Sequence, residues 1–255
     1  MAKKIKKTKT KKPPFFRFLK WLVGVCYGKK DFAGLENIPK EPSLIIGNHA
    51  QVHGPFVAEL WFPKKKRIWL IGQMMSAKEI PAYAMQDFWP YKKKSVRWIY
   101  KIFSYIIAPL FSYVFKNVDG IGVYKDGRII KTFKQSVEAL KDGAYVIIFP
   151  ECHTDYNHIV NEFQTNFVDV ARLYYKNTGK ELSFVPMYNA PKLKLTVFGN
   201  PIKYDHLAPI EEQRVKICEY IKKEITRLAE ELPVHVVVPY ANIKKKDYPC
   251  SRQGV

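Results

Sequence analysis

Residues 44–55 read LIIGNHAQVHGP. A short apolar run stops at Gly47 and opens into a segment holding His49 and His53. Short β-rich runs closed by Gly, Pro or Asn recur on both sides of it: SLIIGN, RIWLIG, GIGVY, AYVIIFP, LSFVPMY, KLTVFG and VHVVVP. Between them, residues 129–141, 167–176 and 210–232 carry helical spacing, and in the last Ile217, Ile221, Ile225, Leu228 and Leu232 form one apolar stripe suited to core packing. This alternation predicts an α/β fold, a mixed and largely parallel sheet covered by helices. Loops at the strand ends of such a sheet are where chemistry is expected.

The chain has 255 residues and 47% hydrophobic content, enough for one substantial core, and carries neither an internal repeat nor a low-complexity linker. We expect a single domain over residues 31–255, preceded by a basic, aromatic segment over residues 1–30. The formal charge is +20, and seven of the lysines fall in MAKKIKKTKTKK at the start, so the body is basic as well. Such a field attracts nucleic acid, anionic lipid headgroups or phosphorylated substrates, and other features must choose among them.

The start itself makes one choice. At 3.6 residues per turn, Arg17, Lys20 and Gly24 share a stripe while Phe15, Phe18, Trp21, Leu22 and Val25 cover the rest, the pattern of an interfacial amphipathic helix. Beside a polybasic arm it suits an anionic leaflet, where each nearby Lys contributes about 1 kcal/mol. The alternative is a docked terminal helix with a solvated lysine tail. A second apolar run, IFSYIIAPLFSYVF over residues 102–115, is uncharged, interrupted by Pro109, and short of the ~20 residues that span a bilayer. It predicts a buried or membrane-dipping helix pair. Cys26, Cys152, Cys218 and Cys250 are irregularly spaced with no C-x-x-C pair, and the N-terminal run lacks an A-x-A site, so the expectation is a reduced chain with a retained N-terminal segment.

Four motifs follow one another at domain-scale separations: GNHAQVHGP after a strand, IGVYKDGR, VIIFPECHTDYN after another strand, and SFVPMYNAP. In this order they resemble those of the glycerol-3-phosphate and lysophosphatidate acyltransferase family: N-H-x-x-x-x-D, a strand ending in a basic residue, F-P-E-G-T-R, and a hydrophobic V-P segment. The resemblance runs from about Leu35 to Pro201. Asn48 and His49 match the first motif and Pro55 a proline common after it, but Gly54 stands where the family has Asp. Lys125 or Arg128 stands for the basic residue that holds the substrate phosphate. Phe149, Pro150 and Glu151 match the third motif, while Cys152 and His153 replace its Gly and Thr and its Arg has no counterpart. Val185 and Pro186 match the fourth.

The resemblance implies acyl transfer from a thioester, on coenzyme A or acyl carrier protein, to a hydroxyl of a lysophospholipid or glycerol phosphate, with no resident cofactor. His49 would be the base, Glu151 would position the acceptor, and Asn48 would support the loop. An imidazole that removes a hydroxyl proton works best when a carboxylate on its far nitrogen fixes the tautomer, and spoiling that third group in serine proteases costs on the order of 10⁴-fold. Gly54 therefore implies a slow enzyme or another orienting group, with Glu151, Asp155 or a water as candidates, and Gly54→Asp is expected to restore an oriented ring. A catalytically impaired, lipid-binding family member is the alternative.

Four of the six histidines, His49, His53, His153 and His158, sit in the two loops that the resemblance brings together. With Cys152 and Glu151 they make a zinc-type cluster conceivable, and with it a metal-dependent lipid ester hydrolase. Pro55 reads as the first residue of a helix, which leaves His49 and His53 in a loop whose spacing guarantees no shared face. Backbone hydrogen bonding by His53 and His158, and no metal, is the expectation. A Cys152 nucleophile is a further alternative. The lysine runs PKKKR, YKKK and NIKKKDY are interleaved with aromatics but accompany no nucleic-acid module. The expected partner is an anionic membrane surface, with no nucleic acid, and the expected location is peripheral, on the cytoplasmic face of the cell membrane.

Overall fold

A computed structural model describes residues 12–89, 92–118, 120–124 and 126–252. Its elements are α1 (Pro14–Tyr27), β1 (Asp31–Ala33), β2 (Leu44–Gly47), α2 (His53–Trp61), β3 (Lys66–Ile71), α3 (Ile80–Asp87), α4 (Arg97–Asn117), β4 (Gly120–Val123), α5 (Ile129–Lys141), β5 (Tyr145–Ile148), β6 (Glu151–Asp155), β7 (Asn161–Phe163), α6 (Asp169–Thr178), β8 (Ser183–Ala190), β9 (Leu195–Phe198), β10 (Ile202–Lys203) and α7 (Ile210–Glu231). Eight strands form one sheet in the order β1-β9-β8-β2-β5-β3-β4, with β10 on β8, and β6 and β7 form a separate ribbon. Five of the main-sheet pairings are parallel; β8 runs antiparallel to both β9 and β10. The expected mixed, largely parallel sheet under helices is the one observed.

The central strands explain themselves. Every residue of β2 and β5 is buried, because helices cover both faces of the sheet and leave no side of these strands in water. Side chains alternate between two apolar layers: Leu44, Ile46, Val146 and Ile148 pack with Ile217, Ile221 and Ile225 of α7, while Ile45, Ile147 and Ile68 pack with Ala58 of α2 and Phe62 after it. The stripe read on residues 210–232 is core, and α7 buries it.

Three local readings are corrected. VHVVVP is not a strand of the sheet; it makes a single bridge, Val236 to Cys250, within a C-terminal segment. Residues 102–115 are not a broken pair, because α4 is one continuous helix with Pro109 inside it, long and apolar enough by length and composition to cross a membrane. Its Ser104, Ala108 and Ser112 stripe is buried, with Ser104 Oγ accepting from Trp89 Nε1 and Ser112 Oγ donating to the Met75 carbonyl, and this packing holds the helix together across the proline. Finally, Pro55 is the third residue of α2 and His53 the first. The opening N–H groups of a helix have no partner inside it, so Pro55 sacrifices no bond there.

α1 lies against the body. Lys20 donates to Glu59 of α2 at 2.6 Å, Tyr27 stacks on Trp61, and Phe15 meets Tyr113 of α4 with ring centroids 5.7 Å apart. The Arg17, Lys20 and Gly24 stripe meets the domain at Lys20, while Phe15, Phe18, Trp21 and Val25 are exposed and Phe16 is buried. The lysine-rich arm before residue 12 lies outside the described residues.

Candidate active site

The parallel register of β2 with β5, Ile46 beside Ile148, sets the loops after both strands side by side at the C-terminal ends of these central strands. β8 adds its end on the other side, with Gly47 opposite Met187. The first and third motifs thus meet, as their residues require.

Asn48 is buried and locked. Its Nδ2 donates to the Asn189 carbonyl at 3.1 Å, its Oδ1 accepts from the Asn189 backbone N–H at 2.6 Å, and Thr196 Oγ1 in turn donates to Asn189 Oδ1 at 3.0 Å. This buried ladder ties β2 to β8 and β9 and fixes where His49 starts. Asn189 lies in the SFVPMYNAP motif, where only Val185 and Pro186 were singled out from sequence, and Thr196 falls in no motif.

His49 is partly buried. Phe149 and Tyr240 flank its ring edge-to-face, with centroids 5.5 and 5.6 Å away. Its Nδ1 is hydrogen-bonded to the backbone carbonyl of Gln51. A carbonyl only accepts, so Nδ1 carries the proton and Nε2 keeps its lone pair. Burial pulls the imidazole below its ordinary range, more strongly than the carbonyl bond raises it, so the ring is neutral at physiological pH. That is the protonation state of a general base.

The partner of His49 Nδ1 is thus a backbone carbonyl, and the carboxylates named for that position bond elsewhere. Asp155, at the far end of β6, accepts from Asn161 Nδ2 at 3.0 Å. Glu151 is buried, with Oε2 accepting the backbone N–H of His49 and Oε1 that of Asn161 at 3.0 Å. Burial nonetheless pushes its carboxyl up to about 7, against the pull of those two bonds. Glu151 is a clamp between the His49 loop and the β6–β7 ribbon, with a backbone N–H on each oxygen.

Gly54 is not a mere deletion. A Cβ at this position would lie 2.6 Å from Phe149 Cε1, 2.8 Å from the Asn48 carbonyl oxygen and 3.0 Å from that of His49. The expectation that Gly54→Asp restores an oriented ring fails, because the carboxylate's own Cβ has no room. The turn has closed around the glycine, with Gly54 N–H donating to the His49 carbonyl at 3.0 Å. Ala50 and Gln51 both have positive φ, 45° and 55°, the left-handed region that costs a non-glycine residue roughly 1–2 kcal/mol.

The remaining residues divide. His53 bonds through Nδ1 to the Tyr27 hydroxyl of α1, and burial with the charge of Lys192 lowers its pKa. His153 is exposed, its ring tilted against that of Tyr240 with centroids 5.1 Å apart, with the half-buried Cys152 before it and the buried Pro150 earlier in the same segment. His158 Nε2 lies 3.3 Å from the Ser251 carbonyl. Among the described residues the four histidines do not gather into one ligand cluster, although His49 and His153 share Tyr240 as a neighbour. Arg128 forks onto Asp126 with bonds of 2.8 to 3.0 Å, reaches Glu79 at 3.4 Å and covers the Tyr124 ring. Two carboxylates already occupy this guanidinium, so it is not a vacant phosphate cradle. Lys125 lies outside the described residues.

Tyr240 and Tyr248 were also missed. Tyr240 sits between His49 and His153, its phenol pushed up by burial and by the charges of Asp87, Glu151 and Cys152. Tyr248 accepts through its hydroxyl from Gln51 Nε2 at 2.8 Å.

Family comparison agrees with this geometry. The sequence model of the acyltransferase family matches residues 29–189. The chain belongs to the acyltransferase family. No curated protein matches the sequence. The fold is similar to the crystal structure of the 1-acyl-sn-glycerophosphate (LPA) acyltransferase PlsC from Thermotoga maritima, at 15% identity and a TM-score of 0.51, covering 86% of this chain and 81% of that one. At that identity the likeness is one of fold. In this acyltransferase the family segment supplies His49, Asn48, Glu151 and Asn189, whereas Tyr240 beside the ring and Tyr248 on Gln51 come from beyond it.

Proposed function

We propose that the chain is a peripheral membrane acyltransferase that moves an acyl chain from a thioester, on coenzyme A or acyl carrier protein, to the hydroxyl of a lysophospholipid or glycerol phosphate. The observation that carries the reading is His49: a neutral imidazole at the strand edge with Nδ1–H committed to a carbonyl and Nε2 free to act as a base. In the reaction Nε2 takes the acceptor's hydroxyl proton as that oxygen attacks the thioester carbonyl. The tetrahedral intermediate then expels the thiolate, which recovers the proton from Nε2–H. Lys125, which follows β4 in the sequence, is the proposed phosphate contact, since Arg128 is held by Asp126 and Glu79.

Membrane association is supported by exposed apolar side chains on two helices that touch. Phe15, Phe18 and Trp21 of α1 and Trp98, Ile102, Phe103, Tyr105 and Ile106 of α4 are exposed, and the Phe15–Tyr113 contact joins the two helices. Single exposed apolar residues are ordinary; a joined patch of aromatics on a basic protein fits an anionic leaflet. Because the packed stripe of α4 is bonded to the domain at Ser104 and Ser112, we place the helix along the leaflet, on the cytoplasmic face of the cell membrane.

The test offers purified protein mixed acyl donors and lysolipids and reads products by mass spectrometry, with His49→Ala as control. Transfer that disappears in His49→Ala supports the enzyme. Absence of transfer with every donor, alongside retained lysolipid binding, replaces it with the lipid-binding reading.

A further inference from the structure

We propose that the backbone carbonyl of Gln51 takes the place of a catalytic carboxylate in orienting His49, and that Tyr248 of the C-terminal segment is the positioning residue that holds it there. The inference rests on the acyltransferase reading, and it adds to it a device that the family segment alone does not contain.

Three observations converge. The first is the bond itself, from His49 Nδ1–H to the Gln51 oxygen two residues on. The second is the backbone that makes it possible. For a carbonyl so close in sequence to fold back onto the ring, the chain must reverse sharply, and it does so through two successive left-handed residues that are not glycine, Ala50 and Gln51. Such strain persists only where the surroundings over-determine it, and here Gly54 lets the turn close while Glu151 grips the His49 N–H. The third is a tie from outside. Gln51 Nε2 donates to the Tyr248 hydroxyl at 2.8 Å, across nearly the whole sequence. Pinning the Gln51 side chain restricts its peptide, and so the direction of its carbonyl.

Tyr248 can serve because its segment is itself fixed. Val237 N–H donates to the Pro249 carbonyl at 2.9 Å, Ser251 N–H to the His235 carbonyl at 2.8 Å, and Tyr188 and His235 are hydrogen-bonded at 2.8 Å. Residues 238–248 therefore form a loop closed at its neck, and they lay Tyr240 and Tyr248 over the first motif. The matched family segment ends at residue 189, so this brace belongs to the chain's own C-terminal part.

The proposal makes different demands on different substitutions. Gln51→Gly keeps the carbonyl and is at ease at positive φ, but loses the tie. Tyr248→Phe loses the same tie from the other side. Gln51→Pro has a carbonyl but a ring that forbids the observed φ of 55°. In ¹⁵N-labelled full-length protein, the long-range ¹H–¹⁵N spectrum of His49, assigned with His49→Gln, should show the proton on Nδ1 and Nε2 bare at neutral pH. Tyr248→Phe and Gln51→Gly should each lower kcat about tenfold with KM unchanged, should populate the other tautomer, and together should do no more than either alone. Gln51→Pro should lose on the order of 10²-fold or more in kcat. If that variant does not fold, Tyr248→Phe, a change at a partly exposed ring, carries the test.

A wild-type His49 protonated on Nε2 overturns the proposal. So does Tyr248→Phe with unchanged tautomer and kcat. Absence of acyl transfer from wild type, with the Nδ1–H signature present and lost in Tyr248→Phe, sinks the enzyme reading and leaves the orienting role standing.

Discussion

Gly54 sits inside the first turn of α2, where propensity alone would favour Ala by about 1 kcal/mol. The space argument runs the other way, because two of the three atoms that a Cβ would meet are backbone oxygens at 2.8 and 3.0 Å and cannot swing aside. Overpacking of this kind costs about 1–3 kcal/mol and wins. Gly54→Ala should therefore lower stability in urea or thermal unfolding, and Gly54→Asp should lower both stability and acyl transfer; a stable, faster Gly54→Asp would refute this reading of the turn. His49 adds a pH dependence with a definite sign. The groups around its ring are Phe149, Tyr240 and the Gln51 carbonyl, with the Glu151 carboxylate on its own backbone N–H, and burial dominates, so the neutral form is favoured. Since the base must be neutral, kcat/KM should be flat through neutrality and fall only on the acid side, below the ordinary histidine value of 6.5. The same depressed group contributes stability that is present above 6.5 and lost as pH falls toward its folded value. Glu151 acts in the opposite sense: raised from 4.5 to about 7, its contribution is complete below 4.5 and lost as pH rises through 7. A pH–rate profile with an acid limb centred well above 6.5 would contradict the assignment of His49.

At the scale of elements, α4 makes the sharpest prediction. Ile106 is 70% exposed, so Ile106→Glu should change folding stability by no more than about 0.5 kcal/mol. In the proposed membrane-bound state the same side chain leaves water, and losing about 1.5 kcal/mol of apolar burial weakens partition to anionic vesicles roughly tenfold. Flotation assays on wild type and Ile106→Glu separate the two states directly, and equal binding would remove α4 from the membrane surface. Much about such elements was legible in sequence. The continuous apolar runs of β2 and β5 and the stripe of α7 are local periodicities, and the sheet and core follow from them. VHVVVP shows where local reading stops. Its composition is that of a strand, but β9 and β10 already pair with β8, and the segment closes instead on Pro249 and Ser251. Likewise Pro109 signals a break in isolation and is carried inside α4 by packing against Met75 and Trp89.

Across the described residues, α1 and the C-terminal segment both reach the first motif. From α1, Tyr27 reaches His53, and from the C-terminal segment Tyr240 and Tyr248 reach His49 and Gln51. This is why the candidate site was only half legible. Motif order located His49, Asn48 and Glu151, because those signals lie within a few residues of a strand end. The Gln51 carbonyl is a backbone atom with no sequence signature, and Tyr248 meets it only once the sheet has brought distant segments together. The integrity of the site thus depends on how firmly the C-terminal loop is clasped, and one buried contact tests that. His235 Nδ1 lies 2.8 Å from the Pro233 carbonyl, which can only accept, so its Nε2 is the acceptor for the Tyr188 hydroxyl. Tyr188 is 1% exposed and His235 6%, so no water stands ready to replace the hydroxyl. Tyr188→Phe keeps the ring's packing but leaves His235 Nε2 buried without its donor, at a cost of about 1–3 kcal/mol. That loss falls on the neck of the loop rather than on the sheet. Limited proteolysis and hydrogen exchange should therefore show residues 235–252 opening at denaturant concentrations where β2 and β5 remain protected, with acyl transfer falling in parallel as Tyr248 leaves Gln51. Uniform weakening of sheet and loop together, or a loop that opens with no loss of transfer, would show that the site does not depend on the clasp.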